Sequence, residues 1–154
     1  MRISDSFNYE FVFGQGLGEI SFDMDENELY SKLKSPGSTD SDVYEKGVEE
    51  TKRDHYPDYG LLISKSMYDG IIDPLKIFTK KLIVAGSDLY SLKLTTLRKH
   101  IVLEHDRLQI EFLEKVVGEP FETEISYPRL GLTVWFENEK LIDACIEKPD
   151  IEEL

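Results

Sequence analysis

His100, Glu104 and His105 are the residues of this chain that come nearest to a metal site, and zinc-assisted hydrolysis is the chemistry they would do. His100 and Glu104 stand one helical turn apart, with His105 and Asp106 beside them, while the third histidine, His55, lies far upstream. A catalytic zinc needs three converging protein ligands and outer-shell partners to orient them. The His100/His105 spacing differs from H-E-x-x-H, so both imidazoles would not share one helical face. The group is therefore expected to be a solvated charged face.

The other chemical candidates are weaker. Gly14-Gln15-Gly16-Leu17-Gly18 follows an apolar run and could suggest a phosphate cradle, which uses N–H groups at a helix start. It continues as Glu19-Ile20-Ser21-Phe22, an extended pattern, with neither the Walker lysine nor the dinucleotide spacing. No serine sits in a G-x-S-x-G elbow, and the sole cysteine, Cys145, has no neighbouring histidine in sequence. Set between Ala144 and Ile146, it is expected to be a small buried hydrophobe; one cysteine forms neither an internal disulfide nor a C-x-x-C site. The paired acids Glu49-Glu50, Glu122 with Glu124, and Glu152-Glu153 would form an acid/base dyad only inside a cleft. The expectation is a protein that is not an enzyme and carries no metal or other cofactor.

Charge points to binding instead. Eighteen Lys and Arg against 31 Asp and Glu leave a formal net charge of −13, which repels phosphate backbones and anionic lipid heads and favours a basic protein partner. No nucleic acid and no membrane partner is expected. Candidate partner-binding acids are Asp23, Asp25, Glu26 and Glu28, then Asp40 and Asp42 in a Ser-rich stretch, then Glu147 and Asp150, with Glu152 and Glu153 behind them. Trp135 is the preferred aromatic anchor, ahead of Tyr44, Tyr59 and Tyr68, because binding hot spots favour Trp and Tyr. The opening Met1-Arg2-Ile3-Ser4-Asp5-Ser6-Phe7 lacks the apolar core of a signal peptide, and no stretch approaches the ~18 apolar residues of a membrane helix. Cytoplasmic residence is expected.

The elements that must carry these residues follow from an internal repeat. Tyr56-Pro57-Asp58-Tyr59-Gly60-Leu61-Leu62-Ile63 returns as Tyr127-Pro128-Arg129-Leu130-Gly131-Leu132-Thr133-Val134, 71 positions on. Phe11-Val12-Phe13 matches Leu82-Ile83-Val84 at the same offset, and Ser21-Phe22-Asp23-Met24 matches Ser91-Leu92-Lys93-Leu94 at 70. After the motif, Ile71-Ile72 and Leu141-Ile142 also stand 70 apart, as if one residue were lost in the turn. Residue 7 to 80 and 81 to 154 thus read as two tandem repeats of about 70 residues within one domain. Tyr56 and Tyr127, present in both, are expected to be structural.

Within each half, a short apolar strand leads into a helix. Asp25 is the expected cap of a helix from Glu26 through Leu33, with Pro36-Gly37 as its stop. In the second half Leu97, Ile101, Leu108, Phe112 and Val116 keep a helical spacing from Thr95 or Thr96 to Gly118, as one helix or as two broken near His105-Asp106. The residue before proline favours extended backbone, so each Tyr-Pro motif opens a strand. Leu132, Val134 and Phe136 alternate with Thr133 and Trp135, then turn at Asn138-Glu139 into Leu141 to Ile146, a hairpin; Asp69-Gly70 makes the matching turn. Val43 to Arg53, Ile77 to Thr79 and Phe121 to Ser126 are further strand candidates. The fold expected is α+β, with short helices packed on antiparallel strands.

In this order of strand, Gly loop, helix, Tyr-Pro/Gly-Leu strand and hairpin, given twice, the chain resembles the β-lactamase inhibitor protein, whose tandem halves each lay helices on a four-stranded antiparallel sheet. It also resembles the small acidic immunity proteins that bacteria make against polymorphic or contact-dependent toxins. The resemblance implies a non-enzymatic immunity or inhibitor protein that neutralises a cognate basic, nuclease-type toxin by covering its active site. The alternative is a small ligand-binding or scaffold domain without a toxin partner.

Overall fold

The computed structural model describes residues 7–33, 37–44, 49–68, 71–72, 75–119 and 121–149, with the backbone alone at 38–44, 49–50, 66–68 and 71–72. Its elements, in chain order, are β1 (Phe11–Val12), β2 (Gly16–Leu17), β3 (Ile20–Ser21), α1 (Glu26–Leu33), β4 (Ser38–Tyr44), β5 (Glu49–Tyr56), β6 (Leu61–Tyr68), β7 (Ile71–Ile72), β8 (Lys76–Thr79), β9 (Ile83–Val84) and β10 (Ser87–Asp88). A 3-10 turn at Leu89–Ser91, α2 (Leu94–Leu108), β11 (Lys115–Glu119), β12 (Glu122–Tyr127), β13 (Leu132–Glu137) and β14 (Lys140–Ile146) complete the chain. The fold is α+β and dominated by its sheet. No helix among the described residues is long and apolar enough to cross a membrane.

Nine strands form the main sheet, in the order β11-β12-β13-β14-β8-β6-β5-β4, with β7 also paired to β6. The join between the halves is β8 against β14, where Thr79, Phe78 and Ile77 face Ala144, Cys145 and Ile146. β1 to β3 make a separate small sheet, and Ile83 donates its N–H to Tyr9 at 2.9 Å, tying the starts of the two halves together.

One face of the main sheet is covered. Tyr56, Leu61, Ile63, Ile77, Ile125, Tyr127, Leu132, Val134, Phe136 and Ile146 point inward into one core with Leu29 and Leu33 of α1 and Leu97 and Ile101 of α2. The alternation of β13 does what its residue types require: Leu132, Val134 and Phe136 are buried, and Thr133 and Trp135 stand on the other face. Asp25 caps α1, accepting from the Glu28 N–H at 2.9 Å. Both Tyr-Pro motifs close tight turns with glycine in the left-handed region, at φ 66° for Gly60 and 76° for Gly131. At Gly131 a side chain would also strike the Glu147 carbonyl, since an added Cβ would lie 2.1 Å from that oxygen.

Three expectations are corrected. α2 ends at Leu108, so Phe112 and Val116 are not on its apolar face and Val116 belongs to β11. The reason is local: Gln109 takes a left-handed conformation and its N–H closes the helix on the Asp106 and His105 carbonyls. The stretch from Val43 to Arg53 is not one strand, because β4 ends at Tyr44 and β5 begins at Glu49. The halves also differ by more than one residue after the motif. β6 has eight residues where β13 has six, and Leu61 faces Thr79 where Leu132 faces Ile146, so the first hairpin is longer by two residue pairs. The expected Asp69-Gly70 turn and the Pro36 stop lie outside the described residues.

Candidate functional site

The face of the sheet opposite the helices is built from the alternate residues of the same strands. On β5, Arg53 and His55 alternate with the buried Asp54 and Tyr56; on β6, Leu62 and Ser64 alternate with Leu61 and Ile63. Arg53, His55, Leu62 and Ser64, together with Phe78, Lys80 and Asp143, line a cleft of about 800 Å³. Lys80 spans its rim, pairing with Asp143 at 3.4 Å and donating to the Ile142 carbonyl at 3.2 Å. Phe78 stacks on Trp135, ring centroids 6.1 Å apart and planes at 23°. The Trp135 indole N–H donates to Glu124 Oε1 at 2.7 Å.

This open face has two electrostatic ends. Arg53, His55, Lys76 and Lys80 belong to the first half. On β12, Glu122 and Glu124 alternate with the inward Thr123 and Ile125, and Glu124 stands directly opposite Trp135. The aromatic pair therefore bridges the join, Phe78 from the first half and Trp135 from the second, and the second half sets two carboxylates beside it. Lys76 reaches across the join to Glu147 at 3.6 Å.

The other residues singled out in the sequence scatter around this face. Asp23 is exposed and pairs with Lys148 at 3.8 Å. Asp25 is spent on its cap. Glu26 pairs with Lys65 and, at 3.9 Å, with Lys52; its hydrogen bond to Lys65 holds the carboxyl below the usual glutamate range. Glu28 is exposed on the first turn of α1. Asp40 and Asp42 sit on β4 in register with Arg53 and Thr51. Asp150, Glu152 and Glu153 lie outside the described residues.

The histidines do not converge. His100 Nε2 donates to the Val84 carbonyl at 2.6 Å, Glu104 is engaged by Arg107 at 2.6 and 2.9 Å, and His105 is buried with Nδ1 donating to the Ile101 carbonyl at 2.8 Å. Among the described residues, no group of three or more His, Cys, Asp and Glu side chains could hold a metal ion. Cys145 is buried, as its neighbours imply, and burial pushes its thiol up to about 12, so at neutral pH it is not a nucleophile.

Beneath the sheet each half has a polar cluster that the sequence reading missed. Asp54 and Lys65, 3.8 Å apart, are buried under α1, where Tyr30 donates to Asp54 at 3.2 Å and Lys65 lies over the Tyr30 ring. Burial, together with the charge on Asp54, raises the Tyr30 phenol to about 12. Under α2, Arg98 grips Glu114 with two bonds of 2.5 and 3.2 Å and Tyr127 donates to the same carboxylate at 2.8 Å. The Arg98 hydrogen bond is the main cause that keeps Glu114 ionised below the usual glutamate range. Both clusters are walled off from the open face and hold helix to strand. No family model matches this chain, and neither a curated protein nor a solved structure matches it.

Proposed function

We propose that the chain is a non-enzymatic, cytoplasmic immunity or inhibitor protein that binds a cognate basic, nuclease-type toxin and covers its active site. The observation that carries this reading is the Phe78–Trp135 pair on the open face, flanked by Glu122 and Glu124. An aromatic anchor with carboxylates around it suits a cationic, phosphate-binding surface, and a net charge of −13 speeds encounter with such a partner.

The same reading includes a duplication. Its support is the strand order, in which β4, β5, β6 and β8 on one side of the join match β11, β12, β13 and β14 on the other. The pairs Thr79/Ala144 and Ile77/Ile146 exchange under a two-fold rotation through the Phe78–Cys145 pair. The Tyr56 and Tyr127 turns, with Gly60 and Gly131 left-handed, then superpose.

The test is co-expression with the nuclease encoded beside its gene. The wild-type chain protects the cell, Trp135→Ala loses protection, and Glu122→Lys with Glu124→Lys slows association at low salt. A nuclease that keeps full activity under an excess of the chain overturns the reading. The cleft of about 800 Å³ favours a second reading, a small-ligand domain. In that case substitutions at Arg53 and Leu62, and not at Glu122 and Glu124, govern binding.

A further inference from the structure

β11 is the terminal strand of the main sheet and pairs only with β12 among the described strands. All five of its residues, Lys115-Val116-Val117-Gly118-Glu119, are exposed, with Val116 at 50% and Val117 at 62%. A sheet edge leaves a row of backbone N–H and C=O groups unpaired, and natural edges are blunted by lysine, proline, bulges or a covering element. β11 has one lysine, at its end, and two valines in its middle.

Its charges are placed in an informative way. Within the sheet Lys115 stands opposite Ser126, and Glu119 stands opposite Glu122, a like charge; directly opposed like charges are unfavourable. Neither Lys115 nor Glu119 takes part in an ion pair among the described residues. Written antiparallel to itself about Val117, the strand is self-complementary. Lys115 meets Glu119, Val116 meets Gly118, and Val117 meets Val117. Lys115, Val117 and Glu119 share the open face, because their partners Ser126, Glu124 and Glu122 do.

We propose that the β11 edge is a docking surface for a second copy of this chain, joined by a two-fold axis through Val117 into one continuous antiparallel sheet. A two-fold contact uses the same patch on both copies, which is what a self-complementary strand provides. The contact supplies each Glu119 with the lysine its own sheet lacks and buries the two exposed valines. One five-residue edge falls short of the ~1,200 Å² of a stable complex, so the dimer is weak and forms with rising concentration.

Sedimentation equilibrium of the full chain, from about 10 µM to about 1 mM, covers the affinities such a small contact allows. The wild-type chain is expected to shift from monomer to dimer across this range. Lys115→Glu and Glu119→Lys each replace two attractive contacts by two repulsive ones and weaken the dimer about tenfold or more. The doubly substituted Lys115→Glu, Glu119→Lys chain regains it, and an equimolar mixture of the two single variants forms a heterodimer. Both positions are exposed, and circular dichroism confirms that each variant is folded. A wild-type chain that stays monomeric overturns the proposal, as does a dimer that the single substitutions leave intact or the double substitution fails to restore. An edge that takes an extended segment of a different protein would leave the purified wild-type chain monomeric, the first of these results.

Discussion

In the 71-residue sequence alignment of the two halves, Asp54 and Lys65 fall on Ile125 and Phe136. All four are buried on the covered face, at 1%, 2%, 0% and 2% exposure. The first half has there an ion pair braced by Tyr30 and Glu26, the second two apolar side chains of the core. The second half moves its polar cluster out to where α2 meets β11 and β12. Taking two charges out of water costs more than apolar contact, so the ion pair is not the more stabilising choice. What it does is fix α1. That helix has eight residues and buries Leu29 and Leu33, whereas α2 has fifteen residues, buries Leu97, Ile101, Glu104 and His105, and packs Leu94 and Leu108 against the same core. Glu26 and Tyr30 tether the short helix to β5 and β6 by charge and hydrogen bond.

The largest expected effect comes from breaking one side of that arrangement. Lys65→Met removes the buried cation between Asp54 and Glu26, leaving Lys52 at 3.9 Å from Glu26, and is expected to cost about 3–5 kcal/mol in urea unfolding. Copying the second half into the first, Asp54→Ile with Lys65→Phe, is expected to recover to within about 1 kcal/mol of wild type or to exceed it. A double variant less stable than Lys65→Met would show that the two halves are not interchangeable at these positions. A smaller effect sits in the hairpin turns. The second half closes with Asn138 and Glu139, both left-handed at φ 52° and 66°, where the first half has Asp69-Gly70 in sequence. Glu139→Gly removes the strain of a side chain in that region and is expected to stabilise by roughly 0.5–1 kcal/mol, read from the thermal midpoint.

What the sequence made legible follows from local rules. The Asp25 cap, the alternation of Leu132, Val134 and Phe136, and the placement of Trp135 on the opposite face all depend on neighbours within a few residues. The end of α2 was not legible, because Phe112 and Val116 continue the helical spacing, and no glycine or proline marks Gln109 as the stop. The β-branched pair Val116-Val117 was the signal for a strand there. The buried ion pair was hidden for another reason. Asp54 and Lys65 fit the polar positions of two ordinary strands, and only the 71-residue alignment sets one acid and one base over two apolar residues. Of the open face, Trp135 was legible; Glu122 and Glu124 joined it only through strand register, and Phe78 through a join between halves that sequence does not reveal.

The chain has one tryptophan, so labelling it alone with 5-fluorotryptophan gives a single fluorine resonance from Trp135. Titration with the nuclease encoded beside its gene measures whether that ring lies in the interface. The account predicts that the resonance shifts on complex formation and that soluble paramagnetic quenchers no longer reach it, while Asp23→Lys with Glu28→Lys leaves this response unchanged. A saturated complex in which the resonance neither moves nor gains protection would contradict the placement of the binding face on Trp135.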